Sequence, residues 1–138
     1  MQELLNLINQ LDYLDTGTPL TDADIASNQA LMNEANLPDI PEEVLAFLKH
    51  YNGCRSEGRT LWGIDAKRHF VFDILGENTA LSHPNSSEIL LLGETETTYV
   101  GWLPNKKRYS IIDKSSFMVL HNLNNFCDAV KYILKIND

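Results

Sequence analysis

Leu37-Pro38-Asp39-Ile40-Pro41-Glu42-Glu43-Val44-Leu45-Ala46-Phe47-Leu48-Lys49-His50-Tyr51-Asn52-Gly53 is a helix with both ends written into it. Pro41 suits the first helical turn, where a missing N–H costs nothing. Glu42 and Glu43 follow where negative charge complements the helix dipole. Val44, Leu45, Leu48 and Tyr51 recur at helical spacing and make the buried face. Asn52-Gly53 stops the helix, and Gly53 is expected at positive φ, which glycine adopts without a Cβ clash.

Two helices precede this one. Leu4, Leu5, Ile8, Leu11 and Leu14 form an apolar stripe over about residues 2–14, which Asp15-Thr16-Gly17-Thr18-Pro19 breaks. Thr21 then reads as an N-cap, with Asp24 in the reciprocal capping position. Ile25, Ala26, Leu31, Met32 and Ala35 are the apolar residues of that second helix, and Leu37-Pro38 ends it.

After Gly53 the pattern changes. Residues 54–59 read as a polar loop. Short runs rich in β-branched and aromatic residues follow at Thr60–Ile64, His69–Leu75, Glu88–Leu92, Thr97–Leu103, Arg108–Asp113 and Phe117–Leu120. Pro104-Asn105 suits the tip of a hairpin. Residues 76–87 read as a loop. A last helix covers about residues 124–135, with Phe126, Val130, Ile133 and Leu134 inward. The order predicts one α+β domain over residues 1–138. Helices at the N-terminus and one at the C-terminus pack on an antiparallel or mixed sheet of about six strands. Val44, Leu48, Ile89, Leu91, Ile111, Phe126, Val130 and Ile133 are expected to share its core.

The chain has 138 residues, 43% hydrophobic, enough for one core without staples. Net charge is −8, which disfavours direct binding to nucleic acid. Residues 1–60 carry ten Asp and Glu against three Lys and Arg, net −7; the remainder carries nine against eight, net −1. Cys54 and Cys127 match no disulfide framework or metal spacing. No basic leader precedes an apolar run, and nothing approaches the roughly 18 apolar residues of a membrane span. A cytoplasmic location is expected.

Several of these segments together resemble the SUKH superfamily, the Smi/Knr-like proteins. The Leu37-Pro38 start, Phe47-Leu48 in mid-helix and the Asn52-Gly53 stop resemble its first motif. Glu88-Ile89-Leu90-Leu91-Leu92-Gly93 is similar to its central strand and glycine turn. Thr98-Tyr99-Val100-Gly101-Trp102 and Tyr109-Ser110-Ile111-Ile112-Asp113 are similar to the hairpin that follows. Asn125-Phe126-Cys127-Asp128-Ala129-Val130 resembles the start of the last helix. Cys54 departs from the pattern, standing where members often carry a second glycine. The resemblance implies a binding protein rather than an enzyme. Many bacterial members are immunity proteins that neutralise a toxin domain, and others regulate cell-wall and signalling processes in eukaryotes.

No residue pattern assembles catalytic machinery. His50, His69, His83 and His121 show no metal spacing, the serines lack a nucleophile elbow, and no glycine-rich phosphate loop occurs. Arg55 beside Cys54 would favour a thiolate, but no third group orients it. No cofactor and no metal are expected. The expected partner-binding residues are Asp12, Asp15, Asp22 and Asp24 around the first helix break, Glu94 and Glu96 in a turn, and Trp102 as an aromatic anchor. For the acids the plain alternative is a solvated surface, and for Trp102 it is core packing. The implied partner is a protein, for instance a basic toxin domain such as a nuclease. The alternatives are a housekeeping regulator with another client, a small-molecule-binding domain or a hydrolase.

Overall fold

The computed structural model describes residues 2–11, 15–16, 19–64, 73–81 and 88–136. In chain order these form α1 (Gln2–Asn9), β1 (Asp15–Thr16), α2 (Asp22–Glu34), α3 (Glu42–His50), β2 (Cys54–Ser56) and β3 (Arg59–Leu61). Then come α4 (Ile74–Leu81), β4 (Leu90–Glu94), β5 (Thr98–Leu103), β6 (Arg108–Asp113), β7 (Val119–Leu123) and α5 (Phe126–Leu134). The seven strands make one sheet in sequential order, each antiparallel to the next. This is the expected α+β class, with helices in the N-terminal part and one at the C-terminus; α4 in addition interrupts the strands between β3 and β4. No helix among the described residues is long and apolar enough to cross a membrane.

Local chemistry accounts for most helix ends. Thr21 and Asp24 form the reciprocal box, each backbone N–H donating to the other's side chain at 3.1 Å. Helix α2 ends in a Schellman turn: Asn36 takes φ 58°, its N–H donates to Asn33 O, and Leu37 N–H donates to Met32 O. Asn125 caps α5 by accepting from Asp128 N–H at 2.9 Å.

Several sequence expectations are corrected. Pro41 is the N-cap of α3 rather than its first helical residue, and the helix stops at His50. Gly53 has the expected positive φ, 80°, but lies beyond the extended cap Tyr51. Phe47, absent from the expected face, is fully buried with Val44 and Leu48, whereas Leu45 is half-buried. On α2 only Asn28 and Met32 are buried, and Leu31 faces solvent. The supposed loop after Gly53 contains β2, which pairs with β3 in a tight hairpin. The strand expected to end at Leu75 is instead the start of α4, as is the loop expected from Gly76; residues 65–72 and 82–87 lie outside the described residues. Asp73 explains α4: its carboxylate accepts from Gly76 N–H at 3.1 Å as a helix cap does. Phe117 precedes β7 in a left-handed turn, φ 58°. Ile111 is buried but outside the main cluster, which holds Ile112 on the opposite face of β6; the bulge opposite this pair lies in β7, at Leu120.

The two faces of the sheet differ. Trp102 and Tyr109 pair directly with ring centroids 4.8 Å apart. Tyr109 meets Phe126 of α5 at 5.6 Å, and Phe126 meets Phe47 of α3 edge-on at 5.5 Å. That face is therefore covered by α3 and α5. Tyr99, Gly101 and Leu103 alternate onto the opposite face, where Tyr99 packs against Trp62 and stacks on Phe117.

Two buried asparagines extend the sheet's hydrogen bonding. Asn52 donates to Ile64 O at 2.7 Å and accepts from Ile64 N–H at 2.8 Å. The side chain leaves no room for a Cβ on Gly63, which would stand 2.5 Å from Asn52 Oδ1. Asn78 of α4 does the same for Leu91, donating to its carbonyl at 2.8 Å and accepting from its N–H at 2.9 Å. It thus stands where β3 no longer pairs with β4. Asn78→Leu would leave both Leu91 groups buried without partners, at a cost of about 2 kcal/mol after the added apolar contact. A urea midpoint equal to wild type would contradict this role.

Candidate functional site

The acidic residues of the first half gather on the helical layer. Between Pro19 and His50 the chain carries six carboxylates, Asp22, Asp24, Glu34, Asp39, Glu42 and Glu43, against one lysine, Lys49. Helices α2 and α3 enclose a cleft of about 440 Å³. Ile25, Leu45 and Ala46 supply its apolar wall; Asp22, Glu42, Lys49 and His50 supply its polar rim. Lys49 Nζ reaches Asp22 Oδ1 at 3.1 Å, both side chains being largely exposed. Such a pair adds little stability and opens readily to a competing charge. Glu43 is committed elsewhere, accepting a hydrogen bond from the Tyr109 hydroxyl.

The expected partner-binding residues separate under the fold. Asp22 stands on the cleft rim, exposed. Asp24 is half-buried and engaged in the α2 cap. Asp15 enters the sheet through its backbone, opposite Arg55. Asp12 lies outside the described residues. Glu94 ends β4 and Glu96 lies in the β4–β5 turn, away from the helical layer. Glu96 lies 3.8 Å from Arg59 Nη1, whereas Glu94 turns inward. Trp102 is half-buried and packs against the core on Tyr109.

Glu94 anchors a polar cluster on the face opposite α5. It accepts from Trp62 Nε1 at 3.2 Å and from Lys114 Nζ at 3.0 Å. The Lys114 ammonium also lies 5.2 Å above the Tyr99 ring. Glu77 of α4 faces the same cluster. Burial, then the charges of Glu94 and Asp73, push its carboxyl above the ordinary value, and Lys114 partly opposes them. A raised carboxyl resists ionisation in the folded state. Its ionisation therefore opposes folding above the folded value, and the penalty disappears below the ordinary value of 4.5. Glu77→Gln is expected to raise the urea midpoint at pH 7 and to lose that gain as pH falls through the carboxylate range. A variant less stable than wild type at pH 7 would contradict the arrangement.

The same sheet face carries a groove of about 210 Å³ beside Leu103. Ile89, Leu103, Phe117 and Val119 form its apolar wall, with Glu88, Asn105 and Lys106 at the rim. Next to it, Met118, Val119 and Leu120 are 65%, 43% and 49% exposed. Sequence reasoning identified this strand but not its edge position.

Other reactive groups are tied into structure. Cys54 is fully buried, and burial pushes its thiol up to about 12, against the thiolate that Arg55 suggested. Cys127 is half-buried. Ser115 and Ser116 donate to the Asp113 carboxylate and hold it below the ordinary range. His50 and His121 are exposed; His69 and His83 lie outside the described residues. No group of three His, Cys, Asp or Glu among the described residues stands close enough to hold a metal ion. Comparison with protein-family models, curated proteins and solved structures finds no match to this chain.

Proposed function

We propose that this chain is a protein-binding module without turnover of its own: a cytoplasmic immunity protein that binds a basic bacterial toxin domain, such as a nuclease, and blocks it. The observation that carries the reading is the apolar wall of the α2–α3 cleft, set in a stretch from Pro19 to His50 that holds six carboxylates against one lysine. Interfaces combine an apolar centre with a polar rim, and carboxylates on that rim steer a basic surface into place. The SUKH-like order of motifs supports the same reading. A basic nuclease groove is also the natural complement of a chain with net charge −8.

The test uses the C-terminal domain of a large secreted protein, should the neighbouring gene encode one. Its association is expected to be fast at low salt and to slow steeply as salt rises. Asp22→Lys combined with Glu42→Lys is expected to slow association about tenfold; both acids stand in first helical turns, so the reversals also cost about 1–3 kcal/mol of stability, which a urea midpoint separates from the change in rate. Asp24 is left intact because its carboxylate caps α2. An association rate and salt dependence unchanged by both reversals would overturn the assignment of this surface.

A further inference from the structure

We propose that β7 accepts an extended acidic-aliphatic segment of a partner protein as an eighth strand, with an aliphatic side chain seated in the adjoining groove. β7 is the last strand of the sheet, and no described strand pairs with its far side. An edge strand presents backbone N–H and C=O groups outward, and proteins usually protect such edges with charge, proline, a bulge or a covering element; β7 has a bulge at Leu120 and pairs regularly over residues 121–123. Val119-Leu120-His121-Asn122-Leu123 contains no lysine, acid or proline. Three exposed apolar residues in succession, Met118, Val119 and Leu120, stand on or beside this edge. An exposed, apolar, uncharged edge is suited to strand addition, in which backbone bonds supply affinity and alternate side chains supply selectivity.

The groove and its charges define the occupant. Val119 links the edge to the groove, whose other apolar walls are Ile89, Leu103 and Phe117. A side chain projecting from an added strand toward this face meets an aliphatic and aromatic surface. Lys106 stands on the groove rim, and Lys107 and Arg108 follow it at the β5–β6 hairpin tip. Arg108 pairs with Leu103, so both point to the groove's side of the sheet. Its Nε is buried with no hydrogen-bond partner among the described residues. Around the groove Lys106, Lys107 and Arg108 stand against Glu88, three basic side chains to one acid, in a chain whose net charge is −8. The local sign therefore selects an acidic segment. It is opposite to the sign of the α2–α3 layer, so the two surfaces take different ligands and this proposal stands apart from the reading above.

The probe is a capped seven-residue peptide, Val-Thr-Glu-Thr-Val-Thr-Glu, whose valines and glutamates share one face of the added strand, beside its counterpart with lysine in place of glutamate. Two further glutamate peptides carry N-methyl groups on alternate residues, one in each phase. Amide exchange and chemical shifts of the full chain report the site. The glutamate peptide is expected to bind saturably and to slow exchange of amides in β7 about tenfold. The lysine peptide should bind at least about tenfold more weakly, and Lys106→Glu with Lys107→Glu should weaken the glutamate peptide by a similar factor. Only one N-methylation phase should abolish binding, because alternate N–H groups of a strand point to opposite edges. Both side chains are exposed, so a urea midpoint near wild type separates lost binding from lost folding. No saturable binding up to about millimolar peptide, binding that leaves β7 exchange unchanged, or equal binding of both N-methylated peptides would overturn the proposal. So would a concentration-dependent dimer that protects β7 without peptide, since a second copy would then occupy the edge.

Discussion

Replacing Arg59 with methionine is expected to destabilise the fold by about 3–5 kcal/mol, although Arg59 belongs to a three-residue strand. The reason lies at the far end of the chain. The last carbonyls of a helix have no partner within it. In α5, Lys135 turns left-handed at φ 57°, and Ile136 N–H satisfies Lys131 O at 2.9 Å. The carbonyls of Tyr132 and Ile133 are taken by Arg59: Nη2 donates to the first and Nε to the second, each at 2.8 Å. The guanidinium lies 5.4 Å from the centre of the Tyr132 ring, and its positive charge suits the negative end of the helix dipole. Methionine fills the space but leaves two carbonyls unpaired in a site where the arginine side chain is only 10% exposed. Arg59→Lys should recover part of the loss, because an ammonium lacks the planar fork that reaches both acceptors. Glu96→Gln should change stability by less than about 1 kcal/mol, since that partner is 62% exposed and 3.8 Å away. Urea midpoints of the three variants provide the check. Equal losses for Arg59→Met and Glu96→Gln would mean that the ion pair, not the helix cap, matters.

Phe47→Ala is expected to cost about 3–5 kcal/mol. Phe47 is fully buried, meets Phe126 at 5.5 Å and Tyr51 at 6.0 Å, and joins α3 to α5 across the main core. Removing the ring deletes both aromatic contacts and opens a cavity between two helices that also pack on other partners. Phe47→Leu should lose substantially less, because most of the volume is restored. A midpoint shift for Phe47→Ala no larger than that for the half-buried Leu45→Ala would place the α3 seam on the other side of the helix.

The helix around Val44–Leu48 was legible because proline, acids, apolar spacing and Asn-Gly are all local signals. Its exact face was less so. A stripe through 44, 47, 48 and 51 differs from one through 44, 45, 48 and 51 by one position, and only the approach of α5 decides between them. Helix α4 was hidden for a physical reason. Ile74-Leu75 looks like strand, Gly76 like a break, and Asn78 is a poor helix former. The Asp73 cap and the clamp of Asn78 on Leu91 override those preferences, and the clamp is a tertiary contact. The acidic helical layer could be read from charge counts alone. The inward turn of Glu94 could not, because Trp62 and Lys114 lie far from it in the chain. The uncharged run through Leu120 was visible as sequence, but its place at the sheet edge is a consequence of topology.

Survival of a susceptible cell tests most directly whether this chain acts by occupying another protein. Where the gene beside this chain encodes a large secreted protein, the C-terminal domain of that protein is expressed with and without this chain; a neighbourhood holding no such gene counts against the proposed function. Growth arrest relieved by the wild-type chain, together with a one-to-one complex of dissociation constant below about 1 μM, is the predicted result. Arrest that persists when both proteins are soluble and abundant, or no complex at about 10 μM of each, would contradict the proposed function.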